Sequence, residues 1–165
     1  MGYRVSTQEF PVRSALSENV ICTKPGEGPS DRGTVVVGAH LDSTSQTPTT
    51  LAPGANDNGS GAMAVLEMMR ASAAAKFRET VQFVAFGGEE QGLYGSQYFV
   101  TEAGRQGQKI KSALVMDMIS YSNRYYGVTL ECDRTTACAD LMATAQPNFE
   151  EFAKDLEVQT VHEGG

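Results

Sequence analysis

Three short apolar runs constrain this chain more than anything else in it. Thr34–His40 reads Thr-Val-Val-Val-Gly-Ala-His, Thr80–Phe86 reads Thr-Val-Gln-Phe-Val-Ala-Phe, and Ala113–Met116 reads Ala-Leu-Val-Met. Each is too short for a buried helix, and β-branched residues are frequent, so each predicts a strand covered on both faces. Helix-period segments separate them: Gly61–Ala75, with Met63, Leu66, Met69 and Ala73 three or four apart, and Gly95–Ala103. Buried strands alternating with helices predict an α/β fold, a three-layer α/β/α sandwich with a mixed, mainly parallel central sheet. The sheet is expected to be mixed because Tyr3–Val12 and Asn19–Thr23 read as strands close enough to form an antiparallel hairpin. Val128–Glu131 reads as a further strand, and Ala137–Thr144 and Phe149–Leu156 as two helices. Lys24–Gly33 and Ser43–Asn58 are Pro- and Gly-containing loops. With no repeat, low-complexity tract or shift in composition, residues 1–165 read as one domain.

The three runs end in residues that can do chemistry. The first ends in His40, with Asp42 two residues on. The second ends in Gly87-Gly88-Glu89-Glu90, and the third in Asp117. Ligands of open α/β sheets bind at the carboxyl ends of the parallel strands, so one histidine and several carboxylates are delivered toward one edge. Asp57 joins them from the glycine-rich turn Pro53-Gly54-Ala55-Asn56-Asp57-Asn58-Gly59-Ser60-Gly61. Taken singly these residues have ordinary explanations: a satisfied strand-end histidine, a solvated glutamate pair, an aspartate at a turn or helix cap. Asp117 lies in the apolar run Leu114–Ile119 and is expected to need a partner. Together they suit zinc or a similar divalent ion. Asp57 has two oxygens and could bridge two ions. Asp42 is placed to hold the second ring nitrogen of His40. Of Glu89 and Glu90, one can ligate while the other stays free as a general base.

The segments Gly38-Ala39-His40-Leu41-Asp42-Ser43, Gly54-Ala55-Asn56-Asp57-Asn58-Gly59-Ser60-Gly61, Phe86-Gly87-Gly88-Glu89-Glu90-Gln91-Gly92-Leu93-Tyr94-Gly95-Ser96 and Met116-Asp117-Met118 resemble, in order and spacing, the bacterial leucyl aminopeptidases of the two-zinc exopeptidase family. Glutamate carboxypeptidases, glutaminyl cyclases and the transferrin receptor ectodomain belong to the same family. The resemblance implies that Asp57 bridges two zincs, that His40 and Asp117 complete one, and that Glu90 binds the other. It implies that Glu89 is the base, that Asp42 orients His40, and that Asp57–Asn58 sits where the family often has a cis peptide bond. The implied activity is hydrolysis of the N-terminal peptide bond of a peptide with a free N-terminus, outside the cytoplasm.

In one respect the sequence departs from that pattern. The family's fifth ligand is a histidine in a Ser-Asp-His motif, which is absent here; the only other histidine is His162. The chain therefore reads as a fragment clipped at both ends, holding one zinc firmly. A naturally minimal variant, or His162 in the missing role, are the alternatives. A non-catalytic binding module and a glutaminyl cyclase remain as competing functions. Tyr121, Tyr125, Tyr126 and Met118 could line a substrate pocket or simply pack.

Composition supports this reading. Hydrophobic residues make up 41% and charged residues 20%, which fits a folded core. The formal net charge of −7, with no basic run, argues against nucleic-acid binding. No apolar stretch reaches the roughly 20 residues of a membrane span, and no signal peptide is legible. Cys132 and Cys138 read equally as a small-loop disulfide or as two thiols, and Cys22 as a buried thiol. Oligomeric state is not legible.

Overall fold

A computed structural model of the chain describes residues 2–29, 33–121, 127–132 and 135–162. The chain divides into two compact units, residues 1–120 and 121–165. In the first, strands β1 (Arg4–Val12), β2 (Ala15–Lys24), β3 (Thr34–His40), β4 (Thr80–Phe86) and β5 (Ile110–Val115) form one sheet in the order β1-β2-β4-β3-β5. Two helices, α1 (Gly59–Ala71) and α2 (Tyr94–Arg105), connect β3 to β4 and β4 to β5. Pairing is antiparallel for β1·β2 and β2·β4, and parallel for β4·β3 and β3·β5. All strands but β2 therefore run the same way, which is the mixed, mainly parallel sheet expected. The hairpin closes at Val12↔Ala15 through a two-residue turn, with Arg13 at φ 52.

Period-two alternation sorts the strand residues between two cores. Cys22, Val37, Ala39, Val81 and Phe83 face Val65 of α1. Their neighbours Ile21, Val36 and Val84, with Phe86, face Phe99 of α2. The helices thus cover opposite faces and complete three layers. Phe86 and Phe99 meet edge to face at 5.7 Å. Lys24 is buried at the end of α1, where its ammonium donates to the carbonyls of Ser72 and Ala73, both at 2.7 Å. It neutralises the carbonyl end of that helix and lies 5.2 Å from the Tyr3 ring.

Several expectations need correction. The buried stripe of α1 runs through Gly61 and Val65, with Met69 partly covered. Met63 and Leu66 stay exposed, on the parts of the helix surface turned away from the sheet. The third apolar run is not a buried strand: β5 lies at the sheet margin, and Leu114 and Val115 are open to solvent. Asp117 is correspondingly half-exposed, not embedded in apolar surroundings.

In the second unit, β6 (Gly127–Cys132) pairs in parallel with β7 (Glu157–His162), and α3 (Thr136–Phe152) connects them. The two short helices expected are one helix passing through Pro147. Asn148 bridges across the proline with a side-chain bond to the Thr144 carbonyl, 2.7 Å. The strand β7 was not anticipated, because six residues after a helix carry little pattern until β6 supplies their partner. Cys132 and Cys138 are joined by a disulfide, and Cys22 is a buried free thiol whose pKa is raised by that burial. Among the described residues no helix is long and apolar enough to cross a membrane.

Candidate metal centre

Strands β3, β4 and β5 are parallel, so their carboxyl ends share one edge. His40 is level with Phe86 of β4, and Val115 of β5 pairs with Gly38. Two residues beyond each of those pairs the chain delivers Gly88 and Asp117, on either side of His40. The order β4-β3-β5 makes the histidine central, and the turn before α1 brings Asp57 over it.

His40 is almost fully buried. Its Nδ1 lies 3.0 Å from the backbone carbonyl of Asp42. A carbonyl can only accept, so Nδ1 carries the proton and Nε2 is the free lone pair of the neutral ring. Nε2 faces Oδ1 of Asp57 at 3.1 Å and Oδ1 of Asp117 at 3.3 Å, with Oε2 of Glu89 at 4.0 Å. A lone pair aimed at two carboxylate oxygens is repulsive unless a positive charge lies between them. Without a metal that charge is a proton. Burial pulls the imidazole pKa down, but the Asp117 carboxylate, the Asp42 carbonyl and the charges of Glu89 and Asp42 outweigh it, and the net shift is upward. A divalent ion answers the same need with a preferred nitrogen and oxygen donor set. His40, Asp57 and Asp117 place one donor atom each within 4.8 Å of one another, close enough to share an ion. Lysine and arginine ion pairs among the described residues engage Glu27, Glu67, Glu79 and Glu102, none of them in this cluster.

Asp42 acts differently from the expectation that its carboxylate grips His40. The carboxylate is 3.8 Å from Nδ1, and the main-chain carbonyl makes the closer contact. Its oxygens instead accept the backbone N–H groups of Glu89 (3.1 Å) and Glu90 (3.2 Å). One residue therefore sets both the tautomer of His40 and the position of the glutamate turn. Glu90 has a raised pKa, first through burial and then through the charges of Asp57, Glu89 and Asp42. Like charges gathered around this carboxyl are what a bound cation would offset. The Asp57–Asn58 peptide is cis, as the resemblance implied.

The family model for peptidase family M28 matches residues 19–163. The chain belongs to peptidase family M28. Leucine aminopeptidase 1 of Trichophyton equinum is 40% identical over 114 residues, covering 64% of this chain and 30% of that protein. The chain thus spans about a third of the length of the curated relatives it matches. The LapA aminopeptidase of Legionella pneumophila superposes with a TM-score of 0.75 at 24% identity, over 97% of this chain and 42% of that one. A zinc aminopeptidase of Bacillus subtilis gives a TM-score of 0.68 at 27% identity, over 92% and 36%.

Sequence reading missed Asn19. It is fully buried at the start of the apolar part of β2. Its Oδ1 accepts from Gly87 N–H at 3.1 Å, and its Nδ2 donates to the Gly95 carbonyl at 2.8 Å and to Gln8 at 2.9 Å. Asn19 thereby ties the root of the Glu89–Glu90 turn to the first turn of α2. A Cβ on Gly95 would land on the carbonyl of Gly87 and on Asn19 itself, so only glycine allows this approach. Asn19→Ala is expected to cost about 2–4 kcal/mol, because it strands a buried donor and a buried acceptor at once. Denaturant titration of the two forms measures it; equal midpoints would refute the assignment.

Proposed function

We propose that this chain carries the catalytic centre of a zinc aminopeptidase, acting on peptides with a free N-terminus. The observation that carries the reading is the convergence of the His40 Nε2 lone pair with the oxygens of Asp57 and Asp117, with Glu89 beside them. The leucine aminopeptidase relatives and the zinc aminopeptidase fold neighbour support the substrate class and the metal. His40, Asp57 and Asp117 would hold one zinc, and Asp57 with Glu90 would contribute to a second. Zinc there would supply Lewis acidity toward a carbonyl oxygen and toward water.

The chain's own residues do the rest. Glu89 is one-third exposed and its backbone is pinned by Asp42, so its carboxylate can reach a water at the edge while its position stays fixed. It takes the proton of the attacking water and returns it to the leaving amine. Asp42 keeps the proton of His40 on Nδ1, leaving Nε2 free to donate its lone pair. Met118 is exposed next to Asp117, which suits a substrate wall. Tyr121 is exposed in the second unit, and Tyr125 and Tyr126 lie outside the described residues. The disulfide in the second unit supports an extracytoplasmic address.

Zinc stoichiometry together with turnover of a leucyl chromogenic amide tests the proposal. One tightly held zinc is expected for this 165-residue chain, because at the second position the described residues offer two carboxylates, fewer donors than the three protein ligands usual for zinc. Two equally tight zincs would assign another donor, with His162 the first to replace. Zinc binding without amide hydrolysis would favour a binding module. Cyclisation of an N-terminal glutamine without amide hydrolysis would favour a glutaminyl cyclase.

A further inference from the structure

The three candidate ligands come from three separate segments, and something must hold those segments in register. Asp57 lies in the turn before α1, whereas Asp117 lies beyond the end of β5, at the sheet margin. The backbone of β5 is bonded to β3 only as far as Gly38↔Val115, with one further bond from Met116 N–H to the Gly38 carbonyl. Past that point no ladder bond among the described residues fixes Asp117.

One side chain takes over. Asn58 is 1% exposed, and its Nδ2 donates to the Met116 carbonyl at 2.9 Å. Its Oδ1 accepts from the Met118 N–H at 3.3 Å and from the Gly61 N–H at 3.0 Å. The amide therefore bonds both main-chain groups that flank Asp117, in the way a neighbouring strand would, while capping α1. Met118 is held at φ 50, a left-handed conformation that a methionine does not adopt unaided. The alternate residues on either side extend the contact. Ser60 Oγ accepts from Ile119 N–H at 3.1 Å, and Asn56 Oδ1 accepts from the backbone and hydroxyl of Ser120 at 3.1 and 2.8 Å. Gly61 permits the approach, since a Cβ there would meet the Met116 carbonyl at 2.6 Å and overlap Oδ1 of Asn58.

We infer that Asn58 is a positioning residue for the metal centre: its side-chain amide bonds the backbone on either side of Asp117 as a strand partner would, and sets the Asp57 to Asp117 distance. This rests on the reading of His40, Asp57 and Asp117 as a metal site. A helix cap alone explains only the bond to Gly61. A cap needs one acceptor, which serine supplies as well as asparagine, and it needs no donor to Met116.

The test uses zinc affinity, measured by competition with a chromogenic chelator, on folded protein, with thermal melting of the metal-free form alongside. Asn58→Ser keeps a capping oxygen but is too short to span Met116 and Met118. Gly61→Ala keeps Asn58 and favours the helix, yet drives a methyl group into both clamp bonds. Each variant is expected to weaken zinc binding roughly 10–100-fold, the range found when an outer partner of a metal ligand is lost. Combining them should add little, since both break the same contact. If the folded variants bind zinc as the parent does, and differ only in melting temperature, Asn58 is a cap and core residue and the inference is wrong. If Asn58→Ser does not fold, Gly61→Ala alone decides, by the same criterion. A parent chain that binds no zinc would overturn the metal site itself, and the clamp with it.

Discussion

Glu89→Ala is expected to lower turnover of a leucyl amide by roughly 10²–10⁴-fold while zinc content stays at the parent level. The separation of the two effects comes from the geometry. The Glu89 carboxylate lies 4.0 Å from Nε2 of His40, outside the group formed by His40, Asp57 and Asp117. Its place is set through its backbone, by the Asp42 carboxylate, so truncating the side chain leaves that anchor intact. A loss of this size corresponds to about 3–5 kcal/mol of transition-state stabilisation. Glu89→Gln keeps shape and polarity but cannot accept the proton, and should be nearly as slow. If the alanine variant loses zinc yet retains turnover per bound zinc, Glu89 is a ligand and the base must be sought elsewhere.

For His40→Ala, zinc binding at the first position should fall by more than the roughly 10–100-fold typical of losing an outer partner, because a direct donor is removed. The two aspartates that remain are 47% and 53% exposed and offer no nitrogen. The same residue sets a pH dependence. The pKa of His40 is raised in the metal-free chain, so a proton occupies Nε2 to higher pH than on a free imidazole. Zinc must displace that proton. Apparent zinc affinity should therefore drop as pH falls below the raised value, and level off above it. Chelator competition across pH measures this, and the dependence should flatten in His40→Ala. An unchanged slope would mean that another group, with Glu90 the first candidate, controls the titration.

The fold and the candidate site were legible for related reasons. Thr34–His40 and Thr80–Phe86 are observed with the bounds read from their composition, because a strand packed on both faces is largely apolar, and the one amide inside them, Gln82, is paired with Gln108 and Thr23. His40, Glu89, Glu90 and Asp117 were visible as polar endings of apolar runs, and parallel strands place such endings on a single edge. Asp57 was visible from the glycines around it.

Other features depended on partners distant in sequence. Which residues of α1 face the sheet was decided by packing against distant strands, and Val65, not Met63 or Leu66, entered the core. The exposure of β5 depended on its place at the margin of the sheet, which local composition does not encode. Ala137–Thr144 and Phe149–Leu156 read as two helices, yet one forms through Pro147, with Asn148 bonding back across it.

The amino-acid sequence by itself determined the strand cores, the parallel edge and the identity of the acidic and imidazole groups gathered there, since each is set by the burial pattern along a few consecutive residues. Only the tertiary structure decided how those groups are held. Asp42 grips the glutamate turn with its carboxylate and His40 with its carbonyl, Asn19 ties β2 to the same turn across 68 residues of chain, and Asn58 reaches Met116 across 58. A buried amide looks the same in sequence whether it caps a helix or spans two segments. Its role is fixed by which unpaired backbone groups folding brings within hydrogen-bonding distance.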